Sequence, residues 1–232
     1  TKKISQILEV SLDDLLSGKE MEKVVERNPV IEKKSVNNIM IALYAFVVIS
    51  FFITIVDIII RFPLQSEMID YNDIQAIVIN VLALLIQIFF FAYGFVNAIR
   101  GMLSPKRMGA VIVAFFAATC ITGTGNMVIN SNVQIVLWWI VLIIPNIVGA
   151  VATFAYFVSG KKSKKYSIMI YLVTIWGMFR IIYSNYNLIV HANQYLSMNS
   201  TVRLVLEIAI HCLVIYQTYV LWIKRQNAID IS

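Results

Sequence analysis

Four ionisable side chains, Asp57, Arg180, Glu207 and His211, stand inside long apolar runs of this sequence. In a membrane each such charge must be paired or face water, so each is a candidate functional group. Arg203, Glu207 and His211 follow one another at i, i+4 and i+8 and share one helical face. A base, an acid and an imidazole so arranged can relay protons, but no further His, Asp or Glu lies deeper than His211 along an inward route, so the relay is incomplete. Arg180 and Glu207 fall in the same outer half of consecutive segments, which opens a charge-assisted pair between them. That pair is either a structural bridge between two helices or part of a substrate or ion site. Asp57 lies four residues before Arg61, and a local i, i+4 pair accounts for it.

Uncharged polar residues extend the constellation. Asn126, Asn130, Asn185 and Asn187 join the outer halves of their segments, whereas the inner halves read as plainer, with Asn80, Gln87 and Asn97 as exceptions. The uneven depth suggests a cavity opening outward. Interhelical hydrogen bonding, worth about 0.6–2 kcal/mol per group, is the other use of such residues. Thr119, Thr122, Gly123, Thr124 and Gly125 allow close backbone approach or a break, and Pro145 before Asn146 frees a carbonyl and invites a kink. Two interrupted neighbouring helices point to a binding site in transporters, although close packing yields the same composition. Asp57, Asn126, Asn146, Arg180, Asn187, Glu207 and His211 are therefore the candidates for lining a substrate or ion path.

The elements that must position these residues are membrane helices. Hydrophobic residues make up 59% of the 232 and charged residues 14%, far from the balance of a soluble domain, and the mean hydropathy is +0.79. Six apolar segments, at approximately 38–60, 76–99, 108–129, 135–158, 167–190 and 202–223, are long enough to cross a hydrocarbon core of about 30 Å. The fold expected is all-α and polytopic: six transmembrane helices over 37–223, an amphipathic segment over 1–36 and a short tail over 224–232. Basic connections at Lys33/Lys34, Arg100 to Arg107, Lys161 to Lys165 and Lys224/Arg225 alternate with connections poor in Lys and Arg. The positive-inside rule then places both termini in the cytoplasm and the acidic 62–75 connection outside.

Tyr93, Tyr156, Tyr219 and Trp222 are expected in the inner headgroup belt and Trp138 and Trp139 in the outer one. The three tyrosines recur at one equal interval, which suggests three tandem hairpins, or simply hairpins of equal length. Residues 1–36 carry Ile4, Ile7, Leu8, Leu12, Leu15 and Leu16 at helical spacing beside balanced acids and bases. Asp13 and Asp14 make the polar face too acidic for a membrane-surface helix, so docking onto a cytoplasmic or membrane protein partner fits better, with a solvated tail as the alternative. The first apolar run begins too late for a cleavable signal peptide, and the first membrane helix is expected to direct its own insertion.

Much chemistry is excluded. The chain has only two histidines, His191 and His211, and no HExxH, so neither a metal nor a haem site is expected. No P-loop or dinucleotide-binding glycine pattern appears, so no cofactor is expected and any ATP hydrolysis belongs to another chain. Cys120 and Cys212 read as buried thiols. The basic excess lies in short connections, which needs no nucleic acid to explain it. Asn199-Ser200-Thr201 is a glycosylation acceptor only in a eukaryotic secretory setting.

In topology the chain resembles the small six-helix permeases of ABC-type exporters, which also begin with a cytoplasmic amphipathic segment. The resemblance implies a transport role with a separate ATPase. A non-transporting scaffold, immunity or sensory subunit is the alternative, with the polar residues as glue. An intramembrane enzyme built on Glu207 and His211 lacks a nucleophile or metal, and no enzymatic activity is expected. Richness in Ile, Asn and Lys suits an AT-rich bacterial genome and hence a bacterial cytoplasmic membrane.

Overall fold

The computed structural model describes residues 34–61, 71–125, 132–161, 163–186 and 198–229. The amphipathic stripe from Ile4 to Leu16, Asn126, Asn130, Asn187 and the glycosylation triplet's Asn199 environment up to residue 197 fall wholly or partly outside these residues, as do the side chains of Asp57 and Arg203. The chain forms α1 (Lys34–Arg61), α2 (Tyr71–Ile99), α3 (Pro105–Gly125), α4, α5 (Lys164–Ser184) and α6 (Met198–Ile229). The fourth element, α4, is assembled from Asn132–Trp138, a π-helical turn Trp139–Ile143, Ile144–Thr153 and a second π-helical turn Phe154–Val158. No strand occurs among the described residues.

All six helices are long and apolar enough to cross a membrane, and the chain is an all-α, multi-pass membrane protein. Their outward faces show why lipid suits them. Ile39, Phe46, Ile49, Phe52 and Val56 of α1 are exposed, while Met40, Tyr44, Val47 and Phe51 on its other face are buried. Both faces are apolar, so an aqueous surface would leave large hydrophobic side chains in water along the whole helix. Helical hydrogen bonding satisfies the backbone internally, as hydrocarbon requires.

Each helix packs on the next in sequence, and α6 returns to α1, closing a ring of six. Small residues permit the close approaches. A Cβ on Gly94 of α2 would collide with the Tyr44 ring of α1, and one on Gly109 of α3 would lie 2.5 Å from Cβ of Phe157 on α4. At the α1–α6 contact, the buried Gln217 amide donates a hydrogen bond to the Tyr44 hydroxyl.

The α2–α3 and α4–α5 connections lie at one end of the bundle, termed the basic end after Arg100, Lys106, Arg107, Lys161, Lys164 and Lys165. Gly101 closes α2 with a positive φ of 64°, the Met102 amide reaches back to the Asn97 carbonyl at 2.8 Å, and Pro105 then opens α3. Gly160 (φ 67°) ends the second π-helical turn in the same left-handed conformation.

Helix α6 continues to Ile229, so residues 224–229 are helical. Several side chains stand differently from their sequence reading. Arg225 is buried: its Nη2 donates to the Tyr156 carbonyl at 2.9 Å and its guanidinium lies 4.4 Å from the centre of the Tyr156 ring. Tyr156 is consequently a core residue, unlike Tyr93, Tyr219 and Trp222, which are exposed as a headgroup belt requires. Cys212 is exposed on the outside of α6, because the neighbouring Leu213 and Val214 fill the interior; Cys120 is half-buried.

Candidate functional site

Toward the end opposite the basic one, the ring encloses a cavity of about 460 Å³ lined by residues from all six helices. Phe51 and Thr54 come from late α1, Asn80 from early α2 and Gln87 from its middle. Thr119 and Thr122 come from late α3, Trp138 from early α4 and Asn146 from its middle, Trp176 and Arg180 from late α5, and Glu207 and His211 from early α6. Of the sequence candidates, the cavity therefore gathers Asn146, Arg180, Glu207 and His211. Asn80 and Gln87 join them: α2 begins at Tyr71, so Asn80 stands in the cavity half rather than in the plainer half where the sequence reading placed it, while Gln87 lies near the middle of the helix.

Several polar groups are already used locally. Thr54, Thr119 and Thr122 donate to the carbonyls of Ser50, Phe115 and Ala118 at 2.9–3.1 Å, the usual way a hydroxyl is satisfied within a helix. The Thr and Gly run does not break α3, which continues through Gly125. His211 Nδ1 lies 2.7 Å from the Glu207 carbonyl. A carbonyl only accepts, so Nδ1 carries the proton, and in the neutral ring Nε2 is left as an acceptor. The ring packs edge-on against Phe115 with centroids 5.3 Å apart. Its Nε2 edge rests against Gly177 of α5, where a Cβ would collide with it.

Pro145 explains the local geometry of α4. Lacking an amide hydrogen, it leaves the Val141 carbonyl without its helical donor, and the chain widens into the π-helical turn in which the Ile144 amide reaches the Trp139 carbonyl. The indole Nε1 of Trp176 on α5 donates to Val141 at 2.9 Å. The Asn146 side-chain amide donates to the Leu142 carbonyl at 2.7 Å. The proline thus produces a widened turn rather than only a kink, and Trp138, Val141, Leu142, Pro145 and Asn146 form one wall of the cavity.

Arg180 and Glu207 line the same cavity, close enough for their charges to interact. No direct contact joins the guanidinium to the carboxylate, and Glu207 is engaged elsewhere. Arg180 makes no hydrogen bond or ion pair among the described residues. Trp176 and Gly177 were not singled out from the sequence, because their roles come from what α4 and α6 place against them. No cluster of His, Cys, Asp or Glu able to hold a metal occurs among the described residues.

Comparison of the chain with protein-family models, with curated proteins and with solved structures gives no significant match.

Proposed function

We propose that this protein is the membrane-embedded, permease-like or channel-like subunit of a transport system in a bacterial cytoplasmic membrane, with both termini cytoplasmic and the cavity as its substrate or ion site. One observation carries the reading: six helices close a ring around a cavity on which Gln87, Asn146, Arg180, Glu207 and His211 converge. Largely apolar pockets with a few converging polar groups are the usual form of small-ligand sites. The alternation of basic and base-poor connections supports the orientation. Residues 1–36 would then hold a cytoplasmic partner, such as a separate ATPase, through Ile4, Ile7, Leu8, Leu12, Leu15 and Leu16.

A second reading, a non-transporting sensory, immunity or scaffold subunit, is favoured by a different observation. Between the cavity and the basic end the ring is filled by Tyr44, Phe91, Met108, Phe157, Val214 and Leu221, all buried. A blind cavity suits binding without passage.

Thiol accessibility separates the two. In a chain carrying Cys120→Ser and Cys212→Ser, single cysteines replace Asn80 or Thr122 at the cavity, Val214 in the filled half, and Phe89 on the exposed face. Transport predicts labelling of the cavity positions by an impermeant thiosulfonate from the outside, and of Val214→Cys from the opposite side once a partner drives the cycle. Cavity labelling with Val214→Cys always protected supports the second reading. Protection of the cavity positions as complete as that of Phe89→Cys refutes both forms of the site.

A further inference from the structure

We propose that the cavity takes an amphipathic monoanion, a single carboxylate-like head on an apolar body, with the head against Arg180 and the body entering between α4 and α5. The inference rests on the cavity being the ligand site proposed above, and adds to it the class of ligand and the side from which it enters.

The head is assigned by Arg180. Its guanidinium is half-buried on the cavity wall and makes no hydrogen bond or ion pair among the described residues, and its planar fork of donors fits a carboxylate, sulfonate or phosphate oxygen pair best. Glu207 is near but not in contact, and is engaged elsewhere. The amides of Gln87 and Asn146 line the same space and can donate to further oxygens of the head.

The body is assigned by the walls. Phe51, Phe115, Leu84, Val173 and the two tryptophans, Trp138 and Trp176, make most of the lining apolar or aromatic. A small inorganic anion would leave that surface unused, and a polyvalent one would exceed the charge of Arg180, the one Lys or Arg on the lining among the described residues.

The side of entry is assigned by how α4 and α5 diverge. The Ile144–Thr153 part of α4 runs close against the α5 backbone, whereas the backbones of Asn132–Trp138 and Trp139–Ile143 stand off from it among the described residues. Across that gap the link is the Trp176 Nε1 bond to Val141. Trp138 and Trp176 stand beside this divergence, both line the cavity, and both remain exposed, at 37% and 41%. The divergence of the two helices beside these rings is where a side opening would lie, and an amphipathic ligand dissolved in the bilayer would reach it directly.

The test uses the full chain in nanodiscs, carrying Cys120→Ser, Cys212→Ser and Thr122→Cys, and measures labelling by an impermeant thiosulfonate with and without added probe. Decanoate at about ten times its dissociation constant is expected to slow labelling about tenfold by occupancy, whereas decanol and decyltrimethylammonium leave the rate unchanged. Arg180→Gln is expected to abolish the decanoate effect and Arg180→Lys to retain part of it. If Arg180→Gln does not fold, quenching of tryptophan fluorescence by 11-bromoundecanoate in excess of that by 11-bromoundecanol gives the same answer without a charge substitution. Protection by benzoate as strong as by decanoate keeps the anionic head but moves the source of ligand from the bilayer to the water, and overturns the side entry. Equal protection by decanoate and decanol, or by the cationic probe, overturns the proposal. Thr122→Cys that labels freely but is never protected sinks the ligand class alone, while Thr122→Cys that cannot be labelled even without probe sinks the cavity reading beneath it.

Discussion

Gly177 and His211 depend on each other in a way that only their juxtaposition reveals. The imidazole is anchored through Nδ1 to the Glu207 carbonyl and steadied by the Phe115 edge, so its Nε2 side cannot withdraw from α5. Gly177→Ala is therefore expected to destabilise the protein by about 1–3 kcal/mol, the usual cost of overpacking. The check is thermal unfolding in detergent. His211→Ala in the same chain should recover a measurable part of that loss, because contacting residues couple by about 0.5–3 kcal/mol in double-mutant cycles; strict additivity would show that the two do not touch. At this scale Arg180, Glu207, His211 and Asn146 were legible from the chain alone, since ionisable or amide groups inside apolar runs are conspicuous on chemical grounds. Gly177, Trp176, Tyr44 and Gln217 were not conspicuous. A glycine or an aromatic residue in a membrane helix has no distinctive cost until a neighbour arrives.

Among the elements, α4 carries the most consequence, because one proline sets its shape and its tie to α5. Restoring the amide with Pro145→Ala gives Val141 back an intrahelical donor that competes with the Trp176 indole. Trp176→Phe is expected to cost about 1 kcal/mol, the net value of one hydrogen bond, in the natural sequence and much less in the Pro145→Ala background. Unfolding of the two singles and the double measures the difference; equal costs in both backgrounds would show that the indole does not serve the freed carbonyl. The six helices themselves were legible, since length and apolarity alone demand them, and so was a disturbance at Pro145. Its form was not, because a kink and a π-helical turn are alternative answers to the same missing donor. Arg225 shows the opposite limit: in the sequence it belongs to a basic connection, yet Tyr156 supplies both a carbonyl and a ring face that draw it into the core.

For the molecule as a whole, everything rests on the ring closing, because a cavity lined by six helices exists only if the last returns to the first. Sequential helices joined by short connections pack together by necessity, whereas α6 against α1 is a long-range choice that no local pattern encodes. The contact is made where Gln217 meets Tyr44. Its direct test is cross-linking of Tyr44→Cys with Gln217→Cys, in a chain carrying Cys120→Ser and Cys212→Ser, by a short membrane-permeant bis-thiosulfonate in native membranes. The account predicts an efficient cross-link within one chain, and none when Phe46→Cys, on the exposed face of the same helix, replaces Tyr44→Cys. Cross-links that form only between chains, or equally well from Phe46→Cys, would contradict it.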